Sequence, residues 1–238
     1  MSWFTQSEYG VRFETGIEGA RRLAPLAGVV VIVDVLSFST CVEIAVSRGA
    51  AVFPFRYKDG RAEAFAQSID ATLAHPQRSK SLPSLSPTSL SKIAPGSKLV
   101  LPSPNGAAIC FELRDRPVLS ACLRNAAAVA RAAAQISNEI LVIAAGEKWP
   151  DNSLRPSLED LIGAGAVISE LGGSLSPESA AALAVFHHFR DDLANTINQC
   201  SSGQELRSAG FDEDNAIAAA LNVSSTVPIL RDDAFVAA

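Results

Sequence analysis

Apolar positions along the chain gather into short blocks separated by longer amphipathic stretches. Val29–Val33 is five consecutive β-branched residues, the mark of a strand covered on both faces. Residues 139–144 form the next clearest block, and residues 98–101, stopped by Pro102, a third. Residues 51–55 and 117–120 are shorter strand candidates, and residues 226–230 could close the set. Between these blocks the spacing turns helical over 39–48 (ending near Gly49), 59–73, 125–136, 157–171 and 177–200, with shorter pieces to Asn222. Short strands alternating with helices predict an α/β fold, a mostly parallel sheet flanked by helices. The pattern lapses over residues 75–95, where six serines and four prolines in 21 residues predict a surface loop or linker, with a lid as the alternative.

Composition narrows the class. With 48% of 238 residues apolar, the chain can build a large core, and disorder is excluded for most of it. No run approaches the roughly 20 apolar residues of a membrane span. The first five residues lack the basic start and apolar run of a signal peptide, so a cytoplasmic protein is expected. Cys41, Cys110, Cys122 and Cys200 are too scattered for a disulfide framework or a zinc site. Residues 1–138 carry 15 basic and 10 acidic side chains, whereas residues 139–238 carry 5 and 15. That asymmetry suits a site with cations on one part and carboxylates on another, or an ordinary solvated surface. No basic stripe with interleaved aromatics is present, so nucleic acid is not an expected partner. Ala-rich helical faces fit a homo-oligomer without setting its size.

In a parallel sheet, ligands bind beyond the carboxyl ends of the strands. Three of the strongest strand candidates end in polar residues. The first delivers Asp34, with Ser37, Ser39 and Thr40 at a helix start; the second delivers Ser103, Asn105 and Gly106; the third delivers Glu147 and Lys148. Glu159 and Asp160 open the next helix. Carboxylates and an amide oxygen suit a hard cation such as Mg²⁺, and helix starts suit a phosphate or sulfonate. A metal beside an anion site points to phosphoryl chemistry.

Plainer roles exist for each. Asp34 could cap its helix, although an acid after five buried aliphatics is costly without a partner. Asn105-Gly106 could be a turn, Ser157 a cap with Glu159 and Asp160 favouring the helix start, Glu147 a solvated acid, and Glu43 a surface or capping residue. His187 and His188 are adjacent and diverge on a helix and His75 stands alone in the loop, so a His-based metal site or a Ser-His-Asp triad is not expected, and no Gly-x-x-x-x-Gly-Lys loop exists, which excludes a P-loop. An aspartyl-phosphate pair and a cysteine-phosphatase loop are also missing.

At these loops the chain resembles the 2-phosphosulfolactate phosphatase family. The resemblance lies in Val33-Asp34-Val35-Leu36 with Ser39-Thr40, Asn105-Gly106, Ala145-Gly146, Ser157-Leu158-Glu159-Asp160 with Gly163-Ala164-Gly165-Ala166, Gly210-Phe211 with Asp214, and Val227-Pro228-Ile229-Leu230. It implies two α/β lobes, here residues 1–138 and a mostly helical 139–238. It also implies Mg²⁺ dependence and hydrolysis of (R)-2-phospho-3-sulfolactate to 3-sulfolactate and phosphate in coenzyme M biosynthesis. With the loop chemistry, it predicts a small anionic phosphoester as substrate. Asp34 and Glu147 are the expected catalytic residues, and Asp34, Glu159 and Asp160 the metal ligands. Ser39, Thr40, Asn105, Gly106, Lys148 and Arg155 are expected to bind substrate. The family pattern commonly places arginine after Asp-Val-Leu, and Ser37 stands there instead. Arg124, Lys148 or Arg155 are candidates for the missing cation. Ser37 also keeps two other readings open: a non-catalytic binder of a phosphorylated metabolite, and a metal-assisted hydrolase of another substrate.

Overall fold

The computed structural model describes residues 3–57, 59–113 and 115–238. Its strands are β1 (Val11–Thr15), β2 (Val29–Val33), β3 (Ala51–Phe55), β4 (Thr72–Leu73), β5 (Lys98–Pro102), β6 (Val118–Ala121), β7 (Ile140–Ala144), β8 (Glu147–Lys148), β9 (Leu154–Arg155), β10 (Pro228–Arg231) and β11 (Ala234–Ala237). Its helices are α1 (Gly16–Leu23), α2 (Phe38–Ser47), α3 (Gly60–Ser68), α4 (Pro87–Leu90), α5 (Gly106–Phe111), α6 (Ala126–Ile136), α7 (Leu158–Ile168), α8 (Pro177–Phe189), α9 (Leu193–Gln199), α10 (Ser201–Ser208) and α11 (Asp212–Ala218).

Nine strands form one mixed sheet in the order β1-β7-β2-β6-β10-β11-β3-β5-β4, and β8 pairs with β9 separately. The fold is α/β with a mostly parallel sheet, as the strand-helix alternation predicts. β7 lies between β1 and β2, so strands from before and after residue 138 share this sheet. All five residues of β2 are fully buried because helices cover both sheet faces. Its period of two divides them: Val29, Val31 and Val33 face the α6–α7–α8 side, while Val30 and Ile32 face the α1–α2–α5 side.

Two parallel sets, β1-β7-β2-β6 and β3-β5-β4, are joined by the antiparallel hairpin β10–β11. Three antiparallel steps separate β6 from β3, so in a flat sheet the carboxyl ends of the two sets would lie on opposite edges. They nonetheless meet, since Gly106 after β5 donates to Asp34 after β2. The sheet therefore curls across the hairpin, whose junctions are single registered pairs, Ile229 with Leu119 and Phe235 with Val52.

Several elements differ from the sequence pattern. β1 escapes it because Arg12 and Glu14 interrupt the apolar run. The helix expected over 59–73 stops at Ser68, Asp70 turns at φ +51°, and β4 follows. The expected helix over 177–200 is broken after Phe189 by the turn Arg190–Asp192. β11 follows a two-residue turn in which Asp232 and Asp233 both take positive φ, the geometry that matches strand twist in a tight hairpin. The 75–95 stretch is a surface loop only in part: residues 75–77 and 80–82 are exposed, whereas Ser84, Ser86 and Leu90 are fully buried and α4 lies within it. No helix among the described residues is long and apolar enough to cross a membrane.

Candidate functional site

Asp34 leaves β2 buried, and both its oxygens are engaged by backbone. Oδ1 accepts from Phe38 N at 3.0 Å, at the start of α2, and Oδ2 accepts from Gly106 N at 3.0 Å, at the start of α5. The same loop is braced internally. Asp34 N donates to Ser39 Oγ at 3.1 Å, Ser39 Oγ donates to Ile32 O, and Thr40 Oγ1 donates to Val35 O at 2.7 Å. Both hydroxyls are fully buried, so Ser39 and Thr40 hold the loop rather than face a ligand. Gly106 is required by close approach: a Cβ there would lie 2.5 Å from Phe38 Cδ1 and 2.8 Å from Asp34 Oδ2. Asn105-Gly106 is therefore a packed junction, and neither residue has the left-handed backbone of the turn reading.

Asp160 makes the second junction. Its Oδ1 accepts from Val35 N at 2.7 Å and its Oδ2 from Gly146 N at 2.9 Å, tying the loops after β2 and β7. α7 reaches this place because Gly163 lacks a Cβ, which would stand 2.6 Å from Val35 Cγ2. Glu159 is buried beside Asp160, and Asp160 ties two loops as well as standing at the helix start. Ser157 makes no capping bond, and its hydroxyl is buried without a partner among the described residues. The third junction runs from Asn105 Nδ2 to Glu147 Oε1 at 2.7 Å.

The electrostatics follow from burial. Desolvation pushes the Asp34 carboxyl up to about 7; the Phe38 N–H opposes it, and the charges of Glu147 and Glu159 add to it. Burial raises Asp160 well above the carboxylate range, and Asp34 and Glu159 raise it further. Glu147 is raised by burial, against the Lys148 N–H and the Arg155 charge. Beside Glu147 a cavity of about 320 Å³ is lined by Asn105, Glu147, Lys148, Ile17, Pro104 and Leu154, among others. Lys148 is exposed, whereas Arg155 is half-buried near Ser202 at 3.4 Å. Asp34, Glu159 and Asp160 do not line that cavity; the Asn105–Glu147 bond connects it to them. Among the described residues, no three His, Cys, Asp or Glu side chains form a preformed metal cage.

The sequence profile of 2-phosphosulpholactate phosphatase matches residues 18–233, a stretch that contains all three junctions. The chain belongs to the 2-phosphosulfolactate phosphatase family. A 2-phosphosulfolactate phosphatase from Methanothermobacter thermautotrophicus is 29% identical over 210 residues, 87% of this chain and 88% of that protein. A probable 2-phosphosulfolactate phosphatase from Gloeobacter violaceus is 34% identical over 135 residues, 56% of this chain and 55% of its own length. One from Thermotoga maritima, also named as probable, is 26% identical over 215 residues, with 87% and 90% coverage. The family's named chemistry is hydrolysis of a phosphoric monoester.

Within this family member the structure also places residues that the sequence pattern did not single out. Arg78, from the Ser/Pro stretch, donates through Nη1 to Ser37 Oγ at 3.2 Å and to Asp214 Oδ2 at 2.9 Å. Asp214 is fully buried and also accepts from Ser86 Oγ, Thr88 N and Thr88 Oγ1, so residues 75–95 are stapled to α11. Glu43 is neither a cap nor a surface residue: it is buried against Arg124 at 2.6 Å. Arg124 is thereby committed, with a further bond to Ile217 O, and does not serve as the cation at position 37. Arg78 escaped notice because a Ser- and Pro-rich composition hides tertiary order.

Proposed function

We propose that this protein is a Mg²⁺-dependent phosphatase of a small anionic phosphoester, converting (R)-2-phospho-3-sulfolactate to 3-sulfolactate and phosphate. The observation that carries this reading is the joining of three strand-end loops by Asp34, Asp160 and the Asn105–Glu147 bond, with Glu159 alongside. Four carboxylates are thus concentrated where few cations offset them.

The donor set fits Mg²⁺: the oxygens are hard, and buried negative charge is in excess. Asp34, Glu159 and Asp160 would hold the ion. Mg²⁺ keeps much of its water and binds through one or two carboxylates plus substrate phosphate, so a closed protein cage is not needed. When bound, the ion supplies charge neutralisation at the phosphoryl group and a lowered pKa for the attacking water. Glu147, whose carboxyl burial raises above its ordinary value, is the general base of this chain and would take a proton from the attacking water. Asn105 fixes the direction of Glu147 through its 2.7 Å bond. Lys148 brings positive charge to the phosphoryl group from the cavity side and Arg155 from beside Glu147, and Ser39 and Thr40 keep the Asp34 loop in shape.

The test is phosphate release, with and without Mg²⁺, from small phosphoesters bearing sulfonate, carboxylate or no second anion. Mg²⁺-dependent release greatest from 2-phosphosulfolactate is expected. Absence of release from every ester would overturn the reading; thermal stabilisation by an uncleaved ester would then favour a binding protein.

A further inference from the structure

We infer that Arg78 is the specificity-determining cation of the site, holding the substrate's second anion, the sulfonate or carboxylate that is not transferred. The inference rests on the phosphatase reading above and adds to it a residue from a different part of the chain.

Ser37 lies three positions beyond Asp34 on the same loop and carries no charge. Arg78 brings a guanidinium to it, at 3.2 Å from its hydroxyl. Both hydrogen bonds of Arg78 among the described residues run through Nη1, to Ser37 and to Asp214. The edge formed by Nε and Nη2 donates to no described residue. That edge is the pair of parallel donors that matches a carboxylate or sulfonate. The side chain is 18% exposed, so it is accessible without being free to wander.

The support beneath it is rigid. Asp214 is fully buried and takes four hydrogen bonds from Arg78, Ser86 and Thr88. Phe211 lies 5.7 Å from the guanidinium and covers part of it. Arg78 is therefore a cation placed in advance, and binding an anion requires little further ordering. The other cations near the site do not offer this. Arg124 is spent on Glu43, Lys148 is exposed, and Arg155 lies by Ser202 and Trp149. The two-anion substrate is then held at both ends, its phosphoryl group beside the Mg²⁺ that the carboxylate-rich loops would hold and its second anion by Arg78.

The experiment compares wild type with Arg78→Gln and Arg78→Lys. Kinetics are measured on 2-phosphosulfolactate and on β-glycerophosphate, which lacks the second anion. Arg78→Gln is expected to raise KM for 2-phosphosulfolactate by about 10- to 100-fold with kcat changed far less, and to leave β-glycerophosphate nearly unaffected. Arg78→Lys keeps a charge for Asp214, and thereby the fold, but loses the fork; its preference for the sulfonated ester is expected to fall several-fold. Equal losses on both esters, a loss confined to kcat, or an unchanged preference in Arg78→Lys would overturn the assignment. Binding is read separately through thermal stabilisation by 3-sulfolactate. Its loss in Arg78→Gln supports Arg78 even if wild type cleaves nothing, the outcome that would sink the phosphatase reading. Equal stabilisation of both proteins, or none of wild type, overturns the role of Arg78.

Discussion

Two regions of this molecule each bury aspartates, and they treat them in opposite ways. Asp214 on α11 is met by a guanidinium, two hydroxyls and a backbone N–H, all from residues 75–95. Asp34 and Asp160 receive only two backbone N–H groups apiece, and their charged neighbours, Glu147 and Glu159, are negative. A fully partnered buried carboxylate is a staple, whereas an under-compensated cluster is a place prepared for an incoming charge. The contrast is sharper because the two regions adjoin: Ser37, on the Asp34 loop, is the other acceptor of Arg78.

Asp34→Asn tests the prepared side and has the largest expected effect. Mg²⁺-dependent turnover falls by on the order of 1,000-fold or more, while the far-ultraviolet circular dichroism stays that of the wild type. Retention of full turnover would remove the centre of the site.

Asp214→Ala tests the staple. Unfolding in urea should show a loss of about 3 kcal/mol, because Arg78, Ser86 and Thr88 lose their shared acceptor. At low temperature, where the variant stays folded, turnover of β-glycerophosphate should fall far less than in Asp34→Asn. A stability equal to wild type would make the staple dispensable.

The smallest effect is a dependence on pH and metal. Without metal, folded Asp34 keeps its proton up to about pH 7, while the unfolded chain releases it near pH 4. Between those values the folded state binds more protons, so stability falls as pH rises and is lowest above the window. Asp160, raised in the same direction, adds to the slope. In chelator the melting temperature should therefore decline from pH 5 to pH 8, by about 2–4 °C for each kcal/mol lost. Mg²⁺ at pH 8 should restore part of it. A flat profile in chelator would mean that the carboxylates are better compensated than their contacts indicate.

Much of the site was legible because its determinants are local. Val29–Val33 reads as a doubly buried strand from five side chains alone, and the strand-end rule then selects Asp34, Asn105 and Glu147 without coordinates. The same rule brings in Asp160 because its helix follows the third loop. The roles of Ser39 and Thr40 were less accessible, since a hydroxyl at a helix start looks alike whether it faces ligand or backbone. Only the bonds to Ile32 O and Val35 O decide which.

What the amino-acid sequence determined by itself was the set of buried strands, the helices between them and the polar residues at their ends, because periodicity and β-branching act within a few residues. What tertiary structure alone decided was the curl that lets β5 and β2 end together, the pairing of β1 with β7 and of β11 with β10 and β3, and the ordering of residues 75–95. Each depends on partners far apart in the chain, such as Arg78 and Asp214, separated by 136 positions. No local pattern encodes such a contact: its stability comes from burying charge against a partner that only the completed fold brings near.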